Sequence, residues 1–96
     1  MAEKMIELTC CKEGNETPIF VQTAIIQFVT PQRDDRNRSL VIVSADMQIP
    51  VAESVEMIAA ALECADESNR ALVRRDTWKP WAEQRGIKFP EFEVKT

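Results

Sequence analysis

Chemistry in this chain would have to start from a small set of side chains, and its three cysteines, Cys10, Cys11 and Cys64, are the most reactive of them. Neighbours in an extended strand point to opposite faces, and an odd number leaves a thiol unpaired. A disulfide framework is therefore not expected, and the cysteines read as small apolar side chains in a reducing compartment. A thiol-based redox protein using Cys10 or Cys11 is one alternative, and it requires an accessible thiol of lowered pKa. Histidine is absent and there is no CxxC pair, so the common zinc sets cannot be assembled from one chain. Ser39, Ser44, Ser54 and Ser68 lie in no nucleophile-elbow pattern, and without histidine a triad would need another base. The only glycines are Gly14 and Gly86, which excludes a glycine-rich phosphate cradle or dinucleotide fingerprint. Carboxylate pairs such as Asp34-Asp35 suit a solvated loop, and nothing in the sequence marks a carboxylate as buried for acid or base work. The expectation is a protein that is not an enzyme, with no catalytic residue, metal or cofactor.

Surfaces for partners are better represented. Residues 51–69 hold Glu53, Glu56, Glu63, Asp66 and Glu67 and no basic residue, whereas 70–88 hold six basic residues against Asp76 and Glu83. Trp78, Trp81, Phe89 and Phe92 crowd the last twenty residues. Such a segment either folds back to complete the core or presents aromatic anchors to a partner. The partner-binding candidates are Arg74, Arg75, Trp78, Trp81, Arg85, Phe89 and Phe92. A nucleic-acid reading uses Arg33, Arg36 and Arg38, or Arg70, Arg74 and Arg75, with phosphate contacts dominating and tryptophans as stacking surfaces. A third set, Val55, Ile58, Leu62, Ala65, Asn69 and Leu72, follows heptad spacing and would let two helices pair as a homodimer, with Asn69 fixing their register.

These residues need positioning elements. Ile6, Leu8 and Cys10 alternate with Glu7 and Thr9, the period of a half-buried strand, and Gly14-Asn15 marks a hairpin tip. Residues 19–29 read as two short strands joined by a bulge or a single helical turn, closed by Pro31. After the polar loop 31–38, Leu40-Val41-Ile42-Val43 shows no alternation and predicts burial on both faces or a central sheet position. Ala45-Asp46 allows a tight turn, and Pro50 marks an edge or terminating strand. Glu53 or Ser54 caps a helix whose apolar stripe continues to about Arg75, roughly 33 Å in length, which would overhang the sheet or break into two helices. Asp66 and Arg70 would then form a helical ion pair. A short helix of at most two turns, with Pro80 in its first turn and Gly86 at its stop, precedes an extended tail.

Met5-Ile6-Glu7-Leu8-Thr9, Ile19-x-Val21 before Ile25-Ile26, and Ile49-x-Val51-x-Glu53-Ser54-Val55-Glu56 together resemble the small FlbD-type flagellar and swarming-motility proteins, and similar short phage proteins, over residues 5–62. The resemblance implies an accessory, interacting protein of bacterial or phage origin, and it brings no catalytic residues.

Ninety-six residues suit one hydrophobic core. The expected fold class is α+β: a mainly antiparallel sheet of four or five short strands, one long helix packed across it, then a short C-terminal helix and an extended tail. The core domain is placed at 1–76 and an aromatic-rich appendage at 77–96, packed on the same domain. Twelve basic against sixteen acidic residues give a net charge of -4, which disfavours nonspecific nucleic-acid binding by the whole surface. No apolar run approaches the roughly 18 residues of a membrane span, and residues 1–4 lack the pattern of a signal peptide. A soluble, cytoplasmic, protein-binding chain is the expectation.

Overall fold

The computed structural model describes residues 4–33, 35 and 37–87. The fold is α+β, and among the described residues it has six strands and two helices: β1 Met5–Cys10, β2 Thr17–Gln22, β3 Phe28–Pro31, β4 Ser39–Ser44, β5 Met47–Val51, α1 Val55–Glu67, β6 Leu72–Val73 and α2 Arg75–Gln84. The sheet runs β2-β1-β5-β4-β3, antiparallel throughout, and β6 adds to β1 in parallel. β1 and β2 form the expected hairpin, whose link holds a 3₁₀ turn over Lys12–Gly14 with Gly14 at φ 81°. A second 3₁₀ turn, Thr23–Ile25, separates β2 from β3 and carries the chain between the two edges of the sheet.

Pairing of β1 with β5 is confined to one register pair, Cys10 with Val51. The sheet is therefore two three-stranded halves, β2-β1-β6 and β5-β4-β3, joined at one corner. Odd-numbered residues of β1 turn their backbone groups toward this seam: Met5 N–H donates to Ala71 O at 2.8 Å, Thr9 O accepts from Ala52 N–H at 2.8 Å, and Cys11 N–H donates to Pro50 O at 3.0 Å.

That parity explains three prolines. Thr9 faces the seam, so its partner Pro18 points its amide nitrogen away from β1, to the free edge. Gln32 N–H donates to Arg38 O, which makes Pro31 the outward-facing member of β3. Pro50 faces β1 at the point where pairing ends. Each proline stands where no ladder donor is required, and two of them blunt the sheet's edges.

The core lies between the sheet and both helices. Ile6, Leu8, Val21, Val41, Val51 and Val73 supply the sheet side, and Met57, Ile58, Ala61, Cys64, Ala65, Trp78 and Ala82 supply the helix side. α1 starts as expected at Ser54, whose Oγ accepts from Met57 N–H at 3.2 Å.

The end of α1 corrects the sequence reading. The helix stops at Glu67, and the chain turns extended at Ser68 (φ -90°, ψ 150°). The end is held locally and from far away in sequence: Ser68 Oγ accepts Arg70 N–H at 3.0 Å, and Lys4 Nζ donates to Ala65 O at 2.6 Å and Ser68 O at 2.6 Å. A cation there also suits the helix dipole. The chain then pairs with β1 as β6 and re-enters a helix at Arg75. Arg70 therefore lies outside α1, and the Asp66–Arg70 helical pair does not form.

α2 is also longer than expected and begins earlier. Pro80 is its sixth residue, so the proline sits inside the helix rather than in its first turn. Its stop is the expected one: Gly86 at φ 83° lets Gly86 N–H reach Glu83 O and Ile87 N–H reach Ala82 O. The division drawn at Asp76 and Thr77 falls within the first turn of α2, whose Trp78 and Ala82 belong to the common core. Residues 88–96, including Phe89 and Phe92, lie outside the described residues.

Replacing Lys4 by methionine tests the cap. The variant should keep its fold and lose about 1–2 kcal/mol of stability, read as a lower urea midpoint at unchanged slope.

Candidate functional site

Two features stand out once the candidate residues are placed: a buried polar seam and a largely uncharged sheet face. The seam was not legible as such. Glu53, read as a capping candidate, is fully buried, one residue before the true cap Ser54. Its Oε1 accepts Thr9 N–H at 2.9 Å and its Oε2 accepts Arg75 Nε at 3.1 Å. Nearby, Glu7 Oε1 accepts Arg75 N–H at 3.1 Å, capping α2 from β1 where Arg74, at the cap position, makes no side-chain capping bond. Trp78 Nε1 donates to Glu7 O at 2.9 Å, and the Arg75 guanidinium lies 5.8 Å from the Trp78 ring centroid. Side chains thus satisfy the β1 edge between β6 and β5, where no strand reaches.

Burial pushes the Glu53 carboxyl above the ordinary glutamate value of 4.5; the Thr9 amide and Arg75 pull it back without cancelling that effect. Protonated Glu53 is thus relatively preferred in the fold. The group contributes most favourably below 4.5, and that contribution is lost as pH rises through the folded pKa.

These contacts reassign the candidate partner residues. Trp78 is fully buried and Arg75 holds Glu53, so both are structural rather than docking anchors. Trp81 is half-buried; its Nε1 donates to Glu63 Oε1 at 3.2 Å, and Arg85 Nε binds the same oxygen while its guanidinium stacks 4.3 Å from the Trp81 centroid. Those two hydrogen bonds hold Glu63 below the usual glutamate value. Arg74 is exposed.

The heptad set is not one seam. Val55, Ile58 and Leu62 lie on α1, but Ile58 is fully buried in the core, Asn69 is in the following loop and Leu72 is in β6. Their spacing arose from a helix that ends at Glu67, so pairing of two helices through these residues has no geometric basis.

Of the arginines in the nucleic-acid reading, Arg38 pairs with Asp35 at 3.5 Å and Arg75 with Glu53, while Arg33 and Arg70 are exposed and Arg36 lies outside the described residues. Cys11 and Cys64 are buried and Cys10 is half-buried; all three are free thiols. Burial pushes the Cys64 thiol up, away from reactivity. No helix among the described residues is long and apolar enough to cross a membrane.

The second feature is the sheet face turned away from the helices. Because Ile6, Leu8, Val21, Val29, Val41, Ile49 and Val51 point into the core, alternation assigns Met5, Glu7, Thr9, Pro18, Phe20, Gln22, Phe28, Thr30, Leu40, Ile42, Gln48 and Pro50 to the outer face. Glu7 is the one ionisable member, and its carboxylate is engaged at the start of α2. Phe28 is 55% exposed and Phe20 47%, with Met47 and Ile25 exposed at the margins. Phe28, Ile42 and Gln48 form one cross-strand row, and Thr30, Leu40 and Pro50 the next. Ile42 is buried, yet it stands apart from the cluster beneath the helices. The unbroken apolar run Leu40-Val41-Ile42-Val43 pointed to burial on both faces or a central sheet position, and β4 lies inside the sheet between β5 and β3, with helices on one face among the described residues.

Comparison with protein families, with curated proteins and with solved structures finds no match.

Two measurements test the seam. Titration of the Glu53 side-chain carboxyl by NMR should give a midpoint above 4.5, and Glu63 one below it. Trp78→Phe removes the indole donor and leaves Glu7 O unpaired, which should cost about 1–3 kcal/mol in chemical unfolding.

Proposed function

We propose that this chain is a non-enzymatic, protein-binding accessory protein, and that it docks through the outer face of its sheet. One observation carries the reading: twelve side chains of β1 to β5 share that face with a single ionisable group among them, in a chain of which 29% is charged. Exposed phenylalanines on a poorly charged face are the usual composition of an interface centre. The prolines at both edges favour contact through side chains over addition of a partner strand.

This reading moves the docking surface from α2 to the sheet. The aromatic residues of α2 serve the core and the Glu63 cluster, whereas Phe28 serves neither. Phe28→Glu places a charge at the exposed end of the apolar row without touching the helix-side core.

Affinity capture from a lysate of the source organism, treated with nuclease, compares the native chain with Phe28→Glu and with Trp81→Ala, each checked by circular dichroism. Loss of a specific protein from Phe28→Glu alone is the expected result. Equal recovery by all three would remove the sheet face from consideration, and loss from Trp81→Ala alone would return the surface to α2.

A further inference from the structure

We infer that Glu53 and Arg75 form a proton-operated latch: when the carboxylate takes up a proton, the Arg75 side chain leaves it for solvent while the tie to Thr9 and the sheet corner stay closed. The inference goes beyond the protein-binding reading and does not depend on it.

The wiring of the carboxylate is the reason. Glu53 is fully buried, and each of its oxygens accepts one N–H: Oε1 from the Thr9 amide at 2.9 Å and Oε2 from Arg75 Nε at 3.1 Å. Only the anion serves both donors well. A protonated carboxyl keeps one good acceptor and gains one donor of its own. The Thr9 hydroxyl also hydrogen-bonds this carboxylate and can rotate to receive the new proton. Arg75 has no such alternative, because its bond is charge-assisted and proton uptake removes the charge that it answers.

The two partners also differ in where they can go. Thr9 N–H belongs to the stretch of β1 edge that neither β6 nor β5 pairs, so loss of its acceptor would strand a buried donor. The Arg75 side chain is 26% exposed, and its backbone N–H stays held by Glu7 Oε1 at 3.1 Å. A guanidinium at that boundary regains water by side-chain rotation, with no movement of α2. Release then sets a second solvated guanidinium beside the exposed Arg74.

The neighbouring elements offer no substitute charge. β5 and β6 carry no ionisable side chain, and Glu7 of β1 is engaged at the Arg75 amide. Cys10 of β1 is a half-buried free thiol, and Glu56, Arg74 and Asp76, at the first turns of α1 and α2, are exposed. Arg75 is the charge that acts on the Glu53 carboxyl, and burial still holds that group above 4.5. The latch therefore works at milder acidity than an ordinary glutamate would need. Because the folded pKa is raised, the group's contribution to stability is present below 4.5 and is lost as pH rises through the folded value. Proton uptake thus moves Arg75 without weakening the fold.

NMR of the full chain, taken from neutral pH down through the Glu53 midpoint, tests the latch by following the Arg75 Nε–H and the Glu53 carboxyl together. Arg75 Nε–H exchange with water, referred to that of the exposed Arg74 Nε–H, should rise by about tenfold or more across the transition. Its midpoint should match that of Glu53 and lie above 4.5, while the Thr9 and Ala52 amides keep their protection. Glu53→Gln, which carries no charge, should show the released Arg75 at every pH. An Arg75 Nε–H that stays protected while Glu53 titrates overturns the inference, and so does loss of Thr9 amide protection in the same step, which would be opening of the whole corner. Should Glu53→Gln fail to fold, the native titration alone decides between these results.

Discussion

The carboxylate of Glu53 sits where the sheet cannot pair with itself. β1 has two neighbours on one edge, β6 at its start and β5 at its end, and neither reaches the middle. A buried strand edge left open there would strand a donor and an acceptor, each costing about 1–3 kcal/mol. Glu53 takes the Thr9 amide and Trp78 supplies the Glu7 carbonyl. These two bonds tie the beginning of α1 and the beginning of α2 to the same strand. The register of the two sheet halves and the seating of both helices depend on them.

The cost of that solution is a carboxylate in a dry place. Arg75 answers it from α2, and Glu7 in turn holds the Arg75 amide, so a single arginine is fixed at both backbone and side chain. Even so, burial outweighs the compensation and raises the Glu53 pKa. Breaking such a pair by removing one partner is far more damaging than its net contribution suggests, because the remaining charge stays buried. The seam is better understood as a device that fixes one arrangement of strands and helices than as a source of stability.

Local signals in the sequence were sufficient for most elements and failed where distant residues decide. The alternation in β1, the 3₁₀ turn between β2 and β3, the capping Ser54 and the terminal Gly86 depend on neighbours along the chain, and each was legible. The end of α1 is capped by Lys4, more than sixty residues away, and apolar periodicity runs through Leu72 as though the helix continued. Glu53 looked like a helix cap because acidic residues suit that position on a solvated helix; its burial follows from the gap in β1, which no local pattern encodes. Trp78 was grouped with Trp81 by composition, but on α2 they have different surroundings: one reaches the β1 edge, the other meets Glu63 and Arg85.

The outer face shows a different relation between pattern and structure. The run Leu40 to Val43 predicted burial on both faces or a central sheet position, and β4 is internal to its half of the sheet, with Val41 fully buried under the helices. Leu40 and Ile42 point the other way, into cross-strand rows with Thr30 and Pro50 and with Phe28 and Gln48, where Leu40 is half-buried and Ile42 buried. Sheets with one solvated face normally alternate polar and apolar residues to reflect it. β1 nearly does so, placing Glu7 and Thr9 outside, but β4 does not. Among the described residues the helices cover the other face of β4, and on the outer face the cross-strand neighbours Phe28 and Gln48 flank the buried Ile42. An internal strand can thus carry apolar residues on both faces where its neighbours in the sheet shield the second one.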